Sequence, residues 1–242
     1  MKDEIRTVLE NNGIPFPAEL PERLEIYLRL LKEWNARMDL IAEAPDDEIL
    51  DRHFTDSLTV LKTGLVPDGA RWIDVGTGAG FPGLPIALAR PDIHVTLMDA
   101  QQKRLNFLQA VIDDTGITNA CTVHARAEEG ARNPGYREQF DIASARAVAP
   151  LNTLTEYLLP FVRIGGTALC WKGPAIREEL EAGRRAAHLL GGRLEMPVTC
   201  RIEGRDWEHI ILPIRKTEKT AAAYPRKAGM PKAKPLVKTK TE

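Results

Sequence analysis

Over the first 68 residues the apolar positions recur at helical spacing and never alternate. Residues 2–12 read as a short helix closed by Gly13. Pro21 opens a longer one, with Leu24, Leu28, Leu31 and Trp34 on one face and Tyr27 beside them. Trp34-Asn35 near its end leads into Met38-Asp39-Leu40-Ile41. Two further helical stretches, 46–52 and 55–62, meet at Arg52-His53. From Arg71 the pattern switches. Short apolar runs over 71–75, 94–98, 121–125, 141–144 and 167–171 read as strands. Between and after them, 82–89, 102–115, 151–158 and 175–190 read as helices. This alternation predicts a doubly wound α/β sheet of parallel strands with right-handed crossovers. The end departs from it. Residues 194–200 and 209–212 are strand-like and are separated only by a polar turn with Gly204-Arg205-Asp206, which predicts an antiparallel hairpin at the sheet edge. After Ile214 no apolar period remains, so the last residues cannot bury a core of their own. The chain therefore divides into a helical extension (1–68), a sheet domain (69–214) and a flexible arm (215–242).

The chain is organised around the stretch from Arg71 to Gly83, where a strand ends in Asp74 and glycines follow at 76, 78 and 80. Pro82 suits a helix start, where a missing N–H costs nothing. A strand, a glycine turn and a helix start form a nucleotide-binding corner, and glycine lets a ligand approach the backbone closely. Two ligands compete. Gly78-x-Gly80-x-x-Gly83 satisfies the dinucleotide fingerprint. Asp74-x-Gly76-x-Gly78-x-Gly80 is the acidic pattern of S-adenosylmethionine (SAM) enzymes, and an acid suits an ammonium and a sulfonium better than a pyrophosphate. Asp99 ends the second strand at the spacing of a ribose-binding acid, a role common to both ligands; the other reading of Asp99 is a helix cap. Five parallel strands finishing in a hairpin favour the Rossmann-like fold of class I SAM-dependent methyltransferases, because a two-halved dinucleotide fold would continue in parallel.

Composition narrows the setting. No stretch approaches the roughly 20 apolar residues of a membrane span, and Met1-Lys2-Asp3-Glu4 does not begin a secretory signal. Cys121, Cys170 and Cys200 are isolated, so buried reduced thiols in a cytoplasmic protein are expected, with neither zinc nor disulfides. His94, His124, His188 and His209 show no metal spacing. The net charge of −1 hides an asymmetry: from Arg215 onward nine Lys and Arg face two Glu, a balance of +7, leaving −8 on the body. A basic arm on an acidic body points to a polyanionic partner.

The remaining candidates sit where the strands end. Ala125-Arg126-Ala127-Glu128-Glu129 follows the third strand and is either an adenine-side loop or a charged surface turn. Ser144-Ala145-Arg146-Ala147 closes the fourth, where the reacting atom is expected. No Asn/Asp-Pro-Pro-aromatic run marks an amino-group methyltransferase, and no Pro-Cys marks a covalent cytosine enzyme. An acceptor with its own lone pair, such as guanine N7, needs neither a base nor a nucleophile, so no catalytic side chain is assigned. Arg146 could hold a base edge, contact phosphate or pair with a structural carboxylate. Lys172, ending the fifth strand, is either a phosphate contact or a solvated lysine. His53 beside Arg52 is either substrate-side or a helix terminus.

Taken together, Trp34-Asn35, Arg52-His53-Phe54-x-Asp56-Ser57-Leu58, Asp74-Val-Gly-Thr-Gly-Ala-Gly-Phe-Pro-Gly-Leu-Pro85, Ser144-Ala-Arg146-Ala, Lys172-Gly173 and Tyr224-Pro-Arg-Lys-Ala-Gly229 resemble the bacterial RsmG (GidB) family, 16S ribosomal RNA guanine-N7 methyltransferases. The resemblance covers nearly the whole chain. It implies a cytoplasmic enzyme that uses SAM to methylate N7 of one guanine of 16S rRNA; the expected partner is that RNA, free or in the small subunit, and a monomer without metal or membrane is expected beside it. Carried over, Gly76, Phe81, Ala127, Glu128 and Arg146 would be cofactor-side, beside Gly78 of the turn and Asp99 at the ribose spacing, and Arg52, His53 and Lys172 would be RNA-side. The loop with Asn133-Pro134-Gly135 departs from the family pattern. The rivals are an NAD-dependent oxidoreductase, an RNA-binding assembly factor that keeps a SAM pocket, and a small-molecule methyltransferase.

Overall fold

The computed structural model describes residues 1–237. Helices α1 (Lys2–Asn11) and α2 (Leu20–Asn35) open the chain, and α2 buries Leu24, Tyr27, Leu28 and Leu31. Helix α3 (Asp46–Ile49), a π-helical turn (Leu50–Thr55), α4 (Asp56–Leu58) and a 3-10 turn (Thr59–Lys62) form one unbroken run. The sequence predicts a break at Arg52-His53 because the apolar period fails there. It fails because Asp51, Thr55 and Asp56 are themselves buried, and the wider π turn accommodates them.

The sheet and its crossovers follow: β1 (Arg71–Val75), α5 (Gly83–Ala89), β2 (His94–Asp99), α6 (Gln102–Thr115), β3 (Ala120–His124), α7 (Ala127–Gly130), β4 (Phe140–Arg146), α8 (Leu151–Leu158), β5 (Val162–Lys172), α9 (Leu180–Leu189), β6 (Gly192–Leu194), β7 (Val198–Arg201), β8 (Glu208–Lys216) and α10 (Met230–Ala233). Strand order is β3-β2-β1-β4-β5-β8-β6, with β7 also paired to β8. Strands β1 to β5 are parallel, and β8 runs antiparallel between β5 and the short edge strands. The expected hairpin is therefore β7–β8, but its first arm is split into β6 and β7, which pair with opposite ends of β8. Pro197 lies at the split, where it has no N–H to give to a ladder.

Alternation along β1 serves two cores. Trp72 joins the cluster under α1, α2, α5 and α6, while Ile73 and Val75 join the one under α7, α8 and α9. The helical extension thus shares its core with one face of the sheet. Among the described residues no helix is long and apolar enough to cross a membrane.

The arm corrects the expectation of a flexible tail. Lys216 is fully buried at the end of β8, where its Nζ donates to Leu159 O at 2.7 Å and pairs with Glu138 at 3.2 Å. Beyond it the backbone is held by the loop that departs from the family pattern. Arg132 donates to Pro225 O at 2.7 Å, and Arg137 donates to Tyr224 O and Thr220 O, both at 2.8 Å. Arg226 pairs with the fully buried Glu156 at 2.7 Å. The arm has no core of its own; it is fixed by polar groups of the domain, which leave no periodic signal. Lys238 and Lys240 lie outside the described residues.

Candidate cofactor and substrate cleft

The glycine turn is built from both ends. Gly76 and Thr77 donate their N–H groups to Met98 O at 2.8 and 3.0 Å, which ties the turn to β2. Gly80 has φ +100°, and a side chain there would run into the Tyr27 hydroxyl and Leu108. Tyr27 donates to Ala79 O and stacks on Phe81 at 5.5 Å, so α2 braces the turn from outside the sheet. Burial holds the Tyr27 pKa well above its ordinary value, which keeps the phenol a donor.

Asp74 does not face a ligand, contrary to the reading that its carboxylate meets an ammonium. It is fully buried. Its oxygens accept from Ser144 Oγ at 2.6 Å, Thr77 Oγ1 at 2.7 Å and Gly83 N at 3.1 Å. Trp72 Nε1 in turn donates to Ser144 at 2.7 Å. The leading acid of the motif is a staple that closes the turn onto α5 and β4.

Above the carboxyl ends of the strands lies a cleft of about 680 Å³. Gly76, Gly78 and Phe81 line it from the turn, Asp99 from β2, Ala127 and Glu128 from α7, and Arg146 from β4. Leu40, Ile41 and His53 wall it from the helical extension, and Lys232 walls it from the arm. Asp99 is buried; Oδ2 accepts from Gly78 N at 2.9 Å and Oδ1 from Gln101 N at 2.8 Å. Asp99 is not the helix cap that one reading expects: its bond to Gln101 N turns the chain ahead of α6, which has no side-chain cap, and it borders the cleft, each oxygen keeping further lone-pair capacity. Glu128 is buried and accepts from Gly229 N at 2.7 Å, so one carboxylate touches both cleft and arm.

On the far wall three elements converge. Arg146 donates to Asp56 Oδ2 and to Arg52 O, both at 2.9 Å, and to His53 Nδ1. Its guanidinium also lies 5.4 Å from the Phe81 ring centre. His53 stacks on Phe81 at 5.0 Å, and His209 Nδ1 meets Asp56 Oδ1 at 2.8 Å. Burial, helped by the Arg146 charge, lowers the His53 pKa to about 4. The ring is neutral at pH 7, and with Nδ1 accepting, its proton is on Nε2.

Two expected RNA-side residues sit elsewhere. Arg52 is exposed, pairs with Glu48 and lies over Trp207 at 4.4 Å, beside the cleft and not lining it. Lys172 is largely buried; it pairs with Glu179 at 2.7 Å and donates to Ala149 O at 3.0 Å. It holds the loop after β4 and is not presented to phosphate. None of the three cysteines lines the cleft; Cys170 and Cys200 are buried as expected, but Cys121 is exposed. Tyr27, Asp56 and Lys232 carry parts of this site that sequence reasoning passes over. Asp56 was visible only as part of a family motif, and Asn35 likewise. Asn35 Oδ1 accepts from Leu40 N at 2.8 Å and Ile41 N at 3.0 Å, which aims that loop at the cleft.

The family model described as rRNA small subunit methyltransferase G (GidB) matches residues 21–208. The chain belongs to this family. A ribosomal RNA small subunit methyltransferase G of Clostridium perfringens (strain 13 / Type A) is 42% identical over 97% of this chain and 98% of its own length. That of Clostridium novyi (strain NT) is 40% identical over 97% of both. A SAM-dependent methyltransferase from Aquifex aeolicus shares the fold, with TM-score 0.52 at 20% identity over 77% of this chain and 97% of that one. M. jannaschii TYW2, solved in complex with AdoMet (SAM), also shares the fold, with TM-score 0.50 at 14% identity over 64% of this chain and 73% of that one. The cleft fits that ligand: its volume lies in the range of cofactor sites, and it combines a glycine-walled floor with a carboxylate on β2.

Proposed function

We propose that this protein transfers a methyl group from SAM to N7 of a guanine in 16S rRNA, acting in the cytoplasm as a monomer. The observation that carries the reading is one cleft joining the glycine turn, Asp99 and Glu128 on one side to Arg146 and neutral His53 on the other. Bound SAM supplies an electrophilic methyl on a sulfonium. Asp99 would accept from the ribose hydroxyls, and the Ala127 backbone would meet the adenine edge. Gly76 and Gly78 leave room for the ligand at the turn, and Phe81 forms the apolar wall between the two halves. Glu128 fixes α7 against the arm.

On the substrate side, the target guanine enters splayed out of its RNA. His53 Nε2–H would donate to guanine O6, beside N7, and Arg146 holds that imidazole in its tautomer. N7 brings its own lone pair, so no side chain has to remove a proton. The rate gain is positioning and electrostatics. The purine becomes cationic in the product, and a neutral imidazole does not oppose that charge. Arg52 at the rim would exchange its exposed Glu48 pair for a phosphate at little cost.

The test is nucleoside analysis of 16S rRNA after reaction with SAM. The reading requires 7-methylguanosine; methylation of another base or atom contradicts it, and SAM binding without turnover supports the assembly-factor rival.

A further inference from the structure

The arm contributes one cation to the cleft, and its backbone is clamped on both sides of that residue. Lys232 in α10 lines the cleft, as do Glu128 and Tyr157. Among the described residues it makes no hydrogen bond or ion pair. Before it, Arg226 is anchored to buried Glu156, Gly229 donates to Glu128 at 2.7 Å, and Pro231 O accepts from Thr153 at 3.2 Å. After it, Asn152 Nδ2 donates to Val237 O at 2.6 Å. A tail that gathers RNA by diffuse charge needs none of these anchors. A cation that must stand at one place does.

Resting on the rRNA reading above, we propose that Lys232 binds a backbone phosphate of the entering RNA, and that the clamped arm sets where this phosphate lies. The helical extension walls the cleft on the α5–α6 face of the sheet and offers His53; the arm walls it on the α7–α8 face and offers Lys232. Lys232 is exposed at the cleft, and a base held between these walls would carry its phosphate out toward that exposed side. A compact ammonium suits a single phosphate oxygen there. The other anion in reach of the same cleft is the cofactor's carboxylate, and the experiment separates the two.

Full-length Lys232→Ala and wild type are compared for methyl transfer to 16S rRNA at several salt concentrations, and for SAM affinity by calorimetry. Arg193→Ala, which removes an exposed cation from the amino end of the sheet, controls for net charge. Lys232→Ala is expected to lower kcat/KM for RNA about tenfold and to flatten its log–log salt slope by about 0.7–0.9, one phosphate's worth. Its SAM affinity is expected to stay within twofold, and Arg193→Ala within twofold on every measure. An unchanged RNA slope, a loss confined to SAM affinity, or the same change in Arg193→Ala overturns the proposal. A wild type that methylates no rRNA removes the functional reading and this proposal with it. A wild type that methylates rRNA as well as Lys232→Ala does removes the proposal alone.

Discussion

Asp56 accepts from Arg146 Nη1 at 2.9 Å, and this ion pair joins the helical extension to β4 across the acceptor side of the cleft. Asp56 is buried, and its second oxygen takes His209 of β8, so one carboxylate holds three elements. Replacing it leaves the largely buried Arg146 without its counter-charge. Asp56→Ala is expected to destabilise the fold by about 3 kcal/mol, the scale of a broken buried pair. Urea unfolding checks this: the midpoint should fall with the m-value unchanged. A midpoint equal to wild type contradicts the role.

His53 gives the site a pH signature. Its folded pKa of about 4 lies below the ordinary 6.5, chiefly through burial. Between these values the unfolded chain holds a proton that the native state does not. The stability tied to the neutral ring is therefore fully present above pH 6.5 and is lost as pH falls to about 4. The gap corresponds to at most roughly 3 kcal/mol. His53→Gln should remove this part of the acid sensitivity. Unfolding free energies at pH 5 and pH 7.5 decide it: a wild-type-to-variant difference that does not change with pH contradicts the assignment.

Lys172 separates two accounts of one residue. A phosphate contact would make Lys172→Ala flatten the salt dependence of RNA binding by about 0.7–0.9. The observed pairing with Glu179 and Ala149 instead predicts an unchanged slope with slower methyl transfer, because the loop after β4 is released. RNA binding titrated at several salt concentrations, beside single-turnover rates, distinguishes them.

What was legible and what was not divides by sequence separation. The glycine turn, Asp99 and Ala127-Glu128 announce themselves because each follows its own strand, and the β-α alternation fixes which sheet edge they share. The bracing of the turn by Tyr27 spans 52 residues, and the Arg146–Asp56 pair spans 90. No local pattern encodes either. Asp74 misled in a more instructive way. Its position before the glycines is the same for a ligand-binding acid and for a staple, and only its burial and three donors reveal the staple. The arm misled because docking by carbonyls onto Arg132 and Arg137 needs no apolar period.

The arm's anchor is testable apart from any activity. Arg226→Ala takes the guanidinium from the fully buried Glu156 and leaves it only the backbone N–H of residue 226, at a cost of up to about 3 kcal/mol to the docked arm. Trypsin should then cut after Lys219 or Lys227 at least tenfold faster than in wild type, and adding Glu156→Gln should restore part of the protection. Equal cleavage in wild type and Arg226→Ala contradicts the clamp.

The central claim is that this cleft delivers the methyl of SAM to one guanine. The most direct measurement incubates the purified protein with radiolabelled SAM and bacterial 16S rRNA, free and in the small subunit, and maps the label. The account predicts label at a single guanine, at a site of chemical cleavage diagnostic for N7 methylation, in at least one of the two substrates. No label on either, while the same preparation binds SAM, contradicts it.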